Sequence, residues 1–449
     1  MQNTPHLSAA TAGHSPNSLP DGTALGASSH HGSIEPGEIA IGVVIGRASE
    51  YFDFFVYAIA SVMVFPTVFF PNEARLDGTL YSFLIFSFAF LARPFGTVAF
   101  MAIQQHFGRE VKLTSALFLL GISTAGIAFL PTYQHLGFAA IVLLSLLRVG
   151  QGIALGGSWD GLPSLLALNA PESKRGWYAM LGQLGAPVGF IIAGSLFAYL
   201  VANLTTADFL DWGWRYPFYV AFAINVVALF ARLRLVTTNE YTRLLDEREL
   251  EPTNAAEMVR SQGANLVIGA LAALASYALF HLVSVFPLSW ISLYSQRSLS
   301  DFLVVQVIGA ALMAVCVIIS GVVADRIGRR NMLGVSALLI ALLSGFVPML
   351  LRGGDIGQDI FILLGFSLLG LSYGQAAGAV TANFAPKYRY TGAALTSDLA
   401  WLVGAGFAPL VALGLASRFG LAYVSLYLIS GAACTLGALS LNRKLEIRN

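Results

Sequence analysis

The sequence predicts an all-α integral membrane protein whose twelve transmembrane helices form two sets of six. Hydrophobic residues make up 56% of the 449 residues, charged residues only 11%, and the mean hydropathy is +0.72. A soluble domain carries about a quarter charged residues, because its surface faces water. Glycine and proline, at 45 and 17 residues, are frequent as well, and membrane helices tolerate both. The outer surface of this chain is therefore expected to face lipid.

Twelve apolar stretches are long enough to cross about 30 Å of hydrocarbon, which takes about 20 residues of helix. The first six are residues 38–66, 79–104, 111–131, 136–167, 176–202 and 214–236. The last six are residues 263–292, 302–324, 331–351, 357–385, 391–417 and 420–441. We therefore predict an N-terminal half at 38–236, a polar central loop at 237–262, a C-terminal half at 263–441 and a tail at 442–449.

Residues 1–37 are rich in Ser, Gly, His, Pro and Thr and are predicted to be a disordered cytoplasmic tail, because they have too few apolar side chains to bury. The tail has no apolar core, so it is not expected to be a signal peptide. Its histidines are interpreted as solvated residues and not as metal ligands. Cys316 and Cys434 lie in apolar runs and are expected to pack as small hydrophobic residues.

Lys and Arg are concentrated in one set of predicted loops, which assigns that set to the cytoplasm. The loops of this set and the C-terminal tail hold Arg109, Lys112, Lys174, Arg175, Arg232, Arg234, Arg243, Arg248, Arg260, Arg326, Arg329, Arg330, Lys387, Arg389, Arg443, Lys444 and Arg448. The opposite set holds only Arg75, Arg215, Arg297, Arg352 and Arg418. Both termini and the central loop are therefore predicted to be cytoplasmic.

An internal repeat supports the division into halves. The loop between the eighth and ninth predicted spans reads GVVADRIGRR from Gly321 to Arg330. The matching loop of the first half reads MAIQQHFGRE from Met101 to Glu110. The shared Gly-Arg pair indicates a gene duplication, and six plus six spans around a charged central loop is the layout of a duplicated transporter.

The second of these loops resembles the G-x-x-x-D-R-x-G-R-R loop of the major facilitator superfamily. Further motifs resemble one branch of it, the metabolite:proton symporters of dicarboxylates, citrate, shikimate and zwitterionic osmolytes. The matching segments are EYFDFFVY from Glu50, RPFG from Arg93, LRVGQG from Leu147 with GGSW from Gly156, DWGWRYPF from Asp211, and RYTG from Arg389. They follow one another along nearly the whole membrane domain, so the resemblance implies the major facilitator fold.

In that family the second-half loop latches the two halves together in the outward-open state. By resemblance the latch residues of this chain would be Asp325, Arg326, Arg329 and Arg330. The first-half loop has lost the signature, because Met101, Gln105 and His106 stand where Gly, Asp and Arg are expected. The sequence therefore does not predict a symmetric pair of latches.

Three further departures change the charges of the pathway. Ser158 stands where the family usually has Glu, Asp160 where it usually has Gly, and Arg47 at a position that is normally uncharged. They leave the predicted fold unchanged and affect the choice of substrate. Asp160 is close to the cytoplasmic end of the fourth helix and is interpreted as a gate residue or an interfacial charge.

Ionisable side chains inside the membrane cost several kcal/mol and are functional candidates by default. Arg47, Glu50 and Asp53 share one face of the first helix by their spacing, and Tyr57 continues that face. We interpret Asp53 as the proton-coupling carboxylate, with Glu50 pairing with Arg47 or Arg93. Asp398 is either a second proton site or the structural partner of an Arg.

Arg148 falls near the middle of the fourth helix and is the predicted anion anchor, because a guanidinium can hold a carboxylate by two parallel hydrogen bonds. Further candidate substrate ligands are Tyr57, Arg93, Tyr277, His281, Gln183 and Gln375. The alternative interpretation makes the charged groups structural salt bridges and the neutral ones interhelical hydrogen-bonding groups.

These patterns together predict proton-coupled symport of a small organic acid across the cytoplasmic (inner) membrane by alternating access, by a monomer. The alternatives are an exporter or a carrier of a zwitterion or osmolyte. No P-loop, H-E-x-x-H or G-x-S-x-G motif occurs, so neither ATP-driven transport nor an enzyme is supported. A net charge of +1 gives no indication of a nucleic-acid partner, and no cofactor or metal is expected.

Overall fold

The structure, a computed structural model, describes residues 36–158, 171–236, 251–381 and 384–442. The expectations for the two tails, for Asp160 and for most of the central loop fall largely or wholly outside these residues. Within them the chain forms twelve long helices. Their bounds are α1 Pro36–Met63, α2 Arg75–Phe107, α3 Arg109–Phe129, α4 Phe138–Gly157, α5 Arg175–Asn203, α6 Tyr216–Val236, α7 Leu274–Tyr294, α8 Leu299–Ile327, α9 Arg329–Arg352, α10 Gly354–Thr381, α11 Arg389–Phe419 and α12 Ala422–Leu441.

Ten of these helices, all except α1 and α6, have the length and hydropathy of a membrane span. All twelve overlap the spans predicted from the sequence, which confirms the fold class. The seventh predicted span, 263–292, begins directly after a kink at Gln262 (backbone angles −130° and 16°), which divides the helix Ala255–Ala272 into two segments. That helix ends at Ala273, whose backbone angles of −105° and 0° are not helical, and α7 begins at Leu274.

The two repeated loops have the same backbone design. Gly108 ends α2 with φ 85°, and Gly328 ends α8 with φ 84°. A positive φ is strained for any residue with a Cβ, so only glycine makes this turn without cost. The next residue in each loop, Arg109 or Arg329, begins the following helix and is buried. We refer to the end of the bundle that carries these loops as the basic end.

Glycines allow α2 and α4 to pack backbone against backbone. A Cβ on Gly152 of α4 would lie 2.6 Å from the Cα of Ala89 in α2. In the other direction, a Cβ on Gly96 would lie 2.6 Å from the Cα of Ile153. Real Cβ contacts are never this short, and small residues at such spacing are typical of close membrane-helix pairs. The sequence Arg148–Gly156 is therefore a packing motif and not a nucleotide loop.

The outer surface of the bundle is apolar. Phe95, Phe118, Phe230 and Leu342 are each more than 60% exposed. An exposed surface of this kind is expected to contact lipid. Five charged residues of the candidate site described below, Glu50, Asp53, Arg93, Arg148 and Asp398, are by contrast buried.

We predict that Gly152→Ala destabilises the protein by roughly 1–3 kcal/mol, because the added methyl group forces α2 and α4 apart. Thermal unfolding of the purified protein in detergent measures the effect. Gly437→Ala in α12 is the matched control, since no atom lies within 4 Å of its added Cβ. Equal melting temperatures for the two variants would contradict the packing argument.

Candidate functional site

A small cavity is lined by α1, α2 and α4 of the first half and by α11 of the second. Its volume is about 30 Å³, room for one or two water molecules. Its lining combines charged and aromatic side chains. The lining residues are Arg47, Glu50, Tyr51, Phe54, Ala89, Phe90, Arg93, Arg148, Leu155 and Trp401. Three of the predicted site residues, Glu50, Arg93 and Arg148, therefore face one space.

Arg148 is almost completely buried, with 1% of its surface exposed. Its Nε donates to the carbonyl oxygen of Phe86 at 3.2 Å, and its Nη1 donates to Oε1 of Gln151 at 3.0 Å. Its guanidinium carbon lies 3.9 Å from the ring centroid of Tyr57 and 4.8 Å from that of Phe86. Within the described residues, Nη2 has no hydrogen-bond partner. An unsatisfied, charged donor thus borders the cavity.

Asp53 lies in a cluster of hydrogen-bond donors from three other helices, α3, α4 and α6. Thr124 Oγ1 donates to both carboxylate oxygens, at 3.0 and 2.7 Å. Gln151 Nε2 lies 3.3 Å from Oδ1, and Asn225 Nδ2 lies 3.1 Å from Oδ2. We call Asp53, Thr124, Gln151 and Asn225 the Asp53 cluster. Three donor groups hold the carboxylate in place of a direct ion pair.

Gln151 connects the Asp53 cluster to Arg148. Its amide oxygen accepts from the guanidinium, and its amide nitrogen donates both to Asp53 and, at 2.9 Å, to Thr124. The side chain therefore orients its dipole between a cation and an anion. A change of charge on Asp53 alters the environment of Arg148 through this single amide.

Arg47 and Glu50 pair with each other on α1. This is one of the two pairings predicted for Glu50, the other being with Arg93. Arg47 Nη1 and Glu50 Oε2 are 2.8 Å apart. Ser158, at the end of α4, donates to the other oxygen of Glu50 at 2.8 Å. The hydroxyl that replaces the family's usual Glu thus solvates Glu50. A carboxylate at position 158 would instead repel the carboxylate of Glu50.

Arg93 and Asp398 form an ion pair between the two halves, from α2 to α11, with Nε and Oδ1 2.7 Å apart. Thr97 Oγ1 also donates to Asp398, at 2.5 Å. Both charged side chains are buried, and Arg93 in addition borders the ring of Trp401 at 5.9 Å. Of the two interpretations of Asp398, the structure places it as the partner of an Arg.

Aromatic rings from both halves close the cavity. Phe54 and Trp401 have ring centroids 6.0 Å apart, and Phe55 stacks on Phe280 at 5.6 Å. The hydroxyls of Tyr51 and Tyr373 are hydrogen-bonded across the interface. Trp401 begins a π-helical segment, Trp401–Gly406, inside α11. Such π turns are rare in proteins as a whole but are often found at functional sites. This one places the indole of Trp401 on the cavity wall.

The other predicted ligands lie around this cavity and do not line it. Tyr57 stacks on Arg148, and His281 lies among the rings of Phe54, Phe86 and Phe90. Neither the Tyr57 hydroxyl nor either His281 nitrogen has a hydrogen-bond partner among the residues the structure describes. Their sequence-based assignment as substrate ligands stays a prediction.

Tyr277, Gln183 and Gln375 lie further away. Tyr277 packs edge-on against Trp401 with ring centroids 5.0 Å apart, and Gln183 is buried in α5. Gln375 donates to the carbonyl of Gly176 and to Ser320, both at 3.2 Å. Gln375 therefore joins the halves near the basic end, in the manner of the alternative interpretation.

Asp325 contacts the other half through backbone amides. Its two carboxylate oxygens accept from the N–H groups of Gly176 and Trp177 in α5, at 2.6 and 3.3 Å. A Cβ on Gly321 would lie 3.2 Å from the Cα of Trp177, so glycine favours this close approach. The other predicted latch residues differ in surroundings.

Arg326 is exposed, whereas Arg329 is buried. Arg330 donates to the carbonyl of Leu439 in α12, at 3.0 Å.

The first-half loop holds the end of the central segment instead. Gln105, at the position of Asp325, donates to the carbonyl oxygen of Pro252 at 2.8 Å. Thr253 N donates to the hydroxyl of Thr391 at 2.8 Å. Beside them Lys387 hydrogen-bonds to Glu257 at 2.8 Å, which lowers the pKa of this exposed carboxyl and raises that of the Lys387 ammonium. Loss of the first-half Asp is thus accompanied by a neutral contact to the central segment.

Sequence reasoning missed four residues of the site: Thr124, Gln151, Asn225 and Ser158 as a ligand of Glu50. The signal was present for Gln151, which is part of the LRVGQG motif three residues after Arg148. Thr124 and Asn225 are isolated polar residues in apolar helices, and such residues are most often interhelical hydrogen-bonding groups. Only the packing of α3 and α6 against α1 brings them to Asp53.

Comparison with known proteins gives a consistent result. The Major Facilitator Superfamily matches residues 43–397. The inner membrane metabolite transport protein YhjE of Escherichia coli is 35% identical over 91% of this chain and 94% of its own. A shikimate transporter of the same organism is 30% identical over 89% of this chain and 92% of the transporter's length. A crystal structure of a D-xylose–proton symporter, 18% identical, has a TM-score of 0.68 over 91% of this chain and 97% of that chain.

We predict that Thr124→Val destabilises the protein by roughly 1–3 kcal/mol, because Asp53 loses a buried donor to both oxygens. Thr124→Ser keeps the hydroxyl and serves as the matched control. Thermal unfolding in detergent distinguishes the two. A valine variant as stable as the serine variant would mean that the Asp53 cluster does not depend on this hydrogen bond.

Proposed function

The chain belongs to the Major Facilitator Superfamily, and from this premise we propose that it carries out proton-coupled symport of a small organic acid. It is a multi-pass membrane protein and a secondary transporter with a small-molecule substrate. The proposal adds that the membrane is the cytoplasmic (inner) membrane, that both termini are cytoplasmic, and that the monomer is the functional unit. The name of the 35% identical relative supports the membrane assignment.

The unsatisfied Nη2 of Arg148 at the cavity carries the proposal for an organic acid. A buried guanidinium that lacks an acceptor is costly, and a carboxylate supplies the strongest acceptor available. Tyr57 and Phe86 hold the group in place from its faces. A carboxylate that enters the cavity meets a fixed donor and pays little entropy to order it.

Asp53 is the proposed proton carrier. It is buried and linked to Arg148 by Gln151, yet it has no basic group within ion-pair distance in the described residues. Its charge is therefore held by neutral donors alone. The amide oxygen of Asn225 lacks a partner in the described part of the chain, and rotation of this amide would give a protonated Asp53 an acceptor. Both protonation states thus find partners in the Asp53 cluster.

The size of the cavity supports alternating access. A volume of about 30 Å³ is too small for a multi-carbon acid. The halves touch at the basic end through Asp325 and Gly176, and at the opposite end through Arg75 and Ser292, whose side chains are 3.1 Å apart. Loading requires one of these contacts to open. Asp325, with Arg326, Arg329 and Arg330 beside it, is the proposed latch of the basic end.

We predict that Arg148→Gln weakens binding of the transported acid by about 10–100-fold, the equivalent of one lost charge-assisted hydrogen bond. A thermal-shift screen of di- and tricarboxylates, aromatic acids and betaines identifies the stabilising class, because a ligand that binds only the native state raises apparent stability. Arg215→Gln is the control, since Arg215 donates to the carbonyls of Ala128 and Leu130 far from the cavity. Stabilisation only by betaines, or equally in both variants, would favour the zwitterion carrier.

We predict that Asp53→Asn abolishes accumulation of the acid driven by a pH gradient but retains exchange of labelled for unlabelled acid. The amide mimics the protonated carboxyl, so the variant still binds substrate while it cannot release a proton. Uptake by proteoliposomes with and without a gradient measures both activities. Asp301→Asn, an exposed residue in the first turn of α8, is the control. Undiminished gradient-driven uptake by Asp53→Asn would exclude Asp53 as the proton carrier.

A further inference from the structure

The charges around the cavity are balanced among themselves. Three arginines line it: Arg47, Arg93 and Arg148. Glu50 pairs with the first and Asp398 with the second, each at 2.7–2.8 Å. Asp53 is connected to the third through Gln151. With all six groups ionised the described site therefore has no net charge.

A bound anion changes this balance. If Asp53 stays ionised, an incoming carboxylate adds a negative charge that no cation matches. If Asp53 takes up a proton, the described site has one positive charge in excess, on Arg148. That excess matches one carboxylate and no more. A second carboxylate would have to displace Glu50 or Asp398, and Asp398 also accepts from Thr97.

The departure at Ser158 contributes to this count. The family pattern usually has Glu there, whereas this chain has a hydroxyl that donates to Glu50. A carboxylate at 158 would bring a further negative charge to the pair of Arg47 and Glu50. The serine donates a hydrogen bond to Glu50 and adds no charge of its own to this pair.

The remaining wall of the cavity is apolar. Tyr51, Phe54, Phe90 and Trp401 supply ring faces on several sides. Aromatic walls stabilise a flat or ring-shaped carbon skeleton by stacking and apolar contact. No second free donor of positive charge is found among the described lining residues, since Arg47 and Arg93 are paired.

We propose that the substrate is a monoanion, a single carboxylate on a flat or ring-shaped body, and that it occupies the site together with one proton on Asp53. The inference rests on the proposed function and specifies its substrate class. Di- and tricarboxylates are excluded because their second charge would be buried without a partner, which costs several kcal/mol. The balance of charges given above treats Tyr57 and His281, the titratable neighbours of Arg148, as neutral.

The test compares acids of one shape and different charge. Terephthalate carries two charges, its monoamide one and its diamide none. Succinate, its monoamide and its diamide form a second, smaller series. Each compound is added to the purified full-length protein at pH 7 and constant ionic strength, and binding is followed by thermal shift and by quenching of tryptophan fluorescence, since Trp401 lines the cavity.

We expect the monoamide of at least one series to bind at least about tenfold more tightly than the diacid and the diamide. A diacid that binds as tightly as its monoamide would overturn the monoanion proposal and leave the carboxylate transporter intact. Binding of the diamides alone, or of no compound in either series, would overturn the proposed function as well.

A charge-exchange variant gives the second arm. Asp398→Asn leaves Arg93 without its carboxylate and raises the positive charge of the site by one. The preference should then shift toward the diacid by at least about tenfold relative to wild type. Asp301→Asn, far from the cavity, should leave it unchanged. Asp160 lies outside the described residues, and Asp160→Asn should also leave the preference unchanged; a shift toward the diacid in that variant would mean that the count omits a charge and would overturn the proposal.

Discussion

Every charged group near the cavity obeys one constraint: in a medium of low polarity an ionised side chain must meet an opposite charge or a full set of hydrogen bonds. Arg47 and Arg93 meet carboxylates directly, and Asp53 meets three donor groups. Arg148 has only neutral acceptors, the carbonyl of Phe86 and the amide of Gln151, and its Nη2 has no hydrogen-bond partner in the described structure. Six helices, α1, α2, α3, α4, α6 and α11, contribute partners to these groups.

Backbone packing makes this arrangement of charges geometrically possible. Glycines at 96, 152 and 156 bring α2 and α4 into direct contact, and these helices carry Arg93 and Arg148. Arg148 and the carbonyl of Phe86, 3.2 Å apart, both belong to this pair of helices, whereas Asp398 belongs to the second half. The interface between the halves passes through the ion pair of Arg93 and Asp398, whereas the hydrogen bonds of Arg148 lie within the first half.

The sequence predicted the helices well and the site in part, for a physical reason. Hydropathy is a local property, so twelve spans could be located, and Arg148, Asp53 and Glu50 were conspicuous as charges in apolar segments. Pairing depends on contacts between helices distant in the chain. The choice of Asp398 for Arg93, and the roles of Thr124 and Asn225, became visible only in the folded chain. The break at Ala273 was missed because alanine is compatible with an unbroken helix.

The contact of Asp325 has a consequence for how the protein tolerates sequence change. Its acceptors face the main-chain N–H groups of residues 176 and 177, which every amino acid except proline possesses. Mutation of the α5 side chains therefore leaves the hydrogen bonds in place, provided that Gly176 stays small enough for the approach. One partner of this interaction is the backbone itself, so the Asp325 contact depends on the loop positions and on Gly176, while the other side chains of the facing helix segment can change without loss of these two hydrogen bonds.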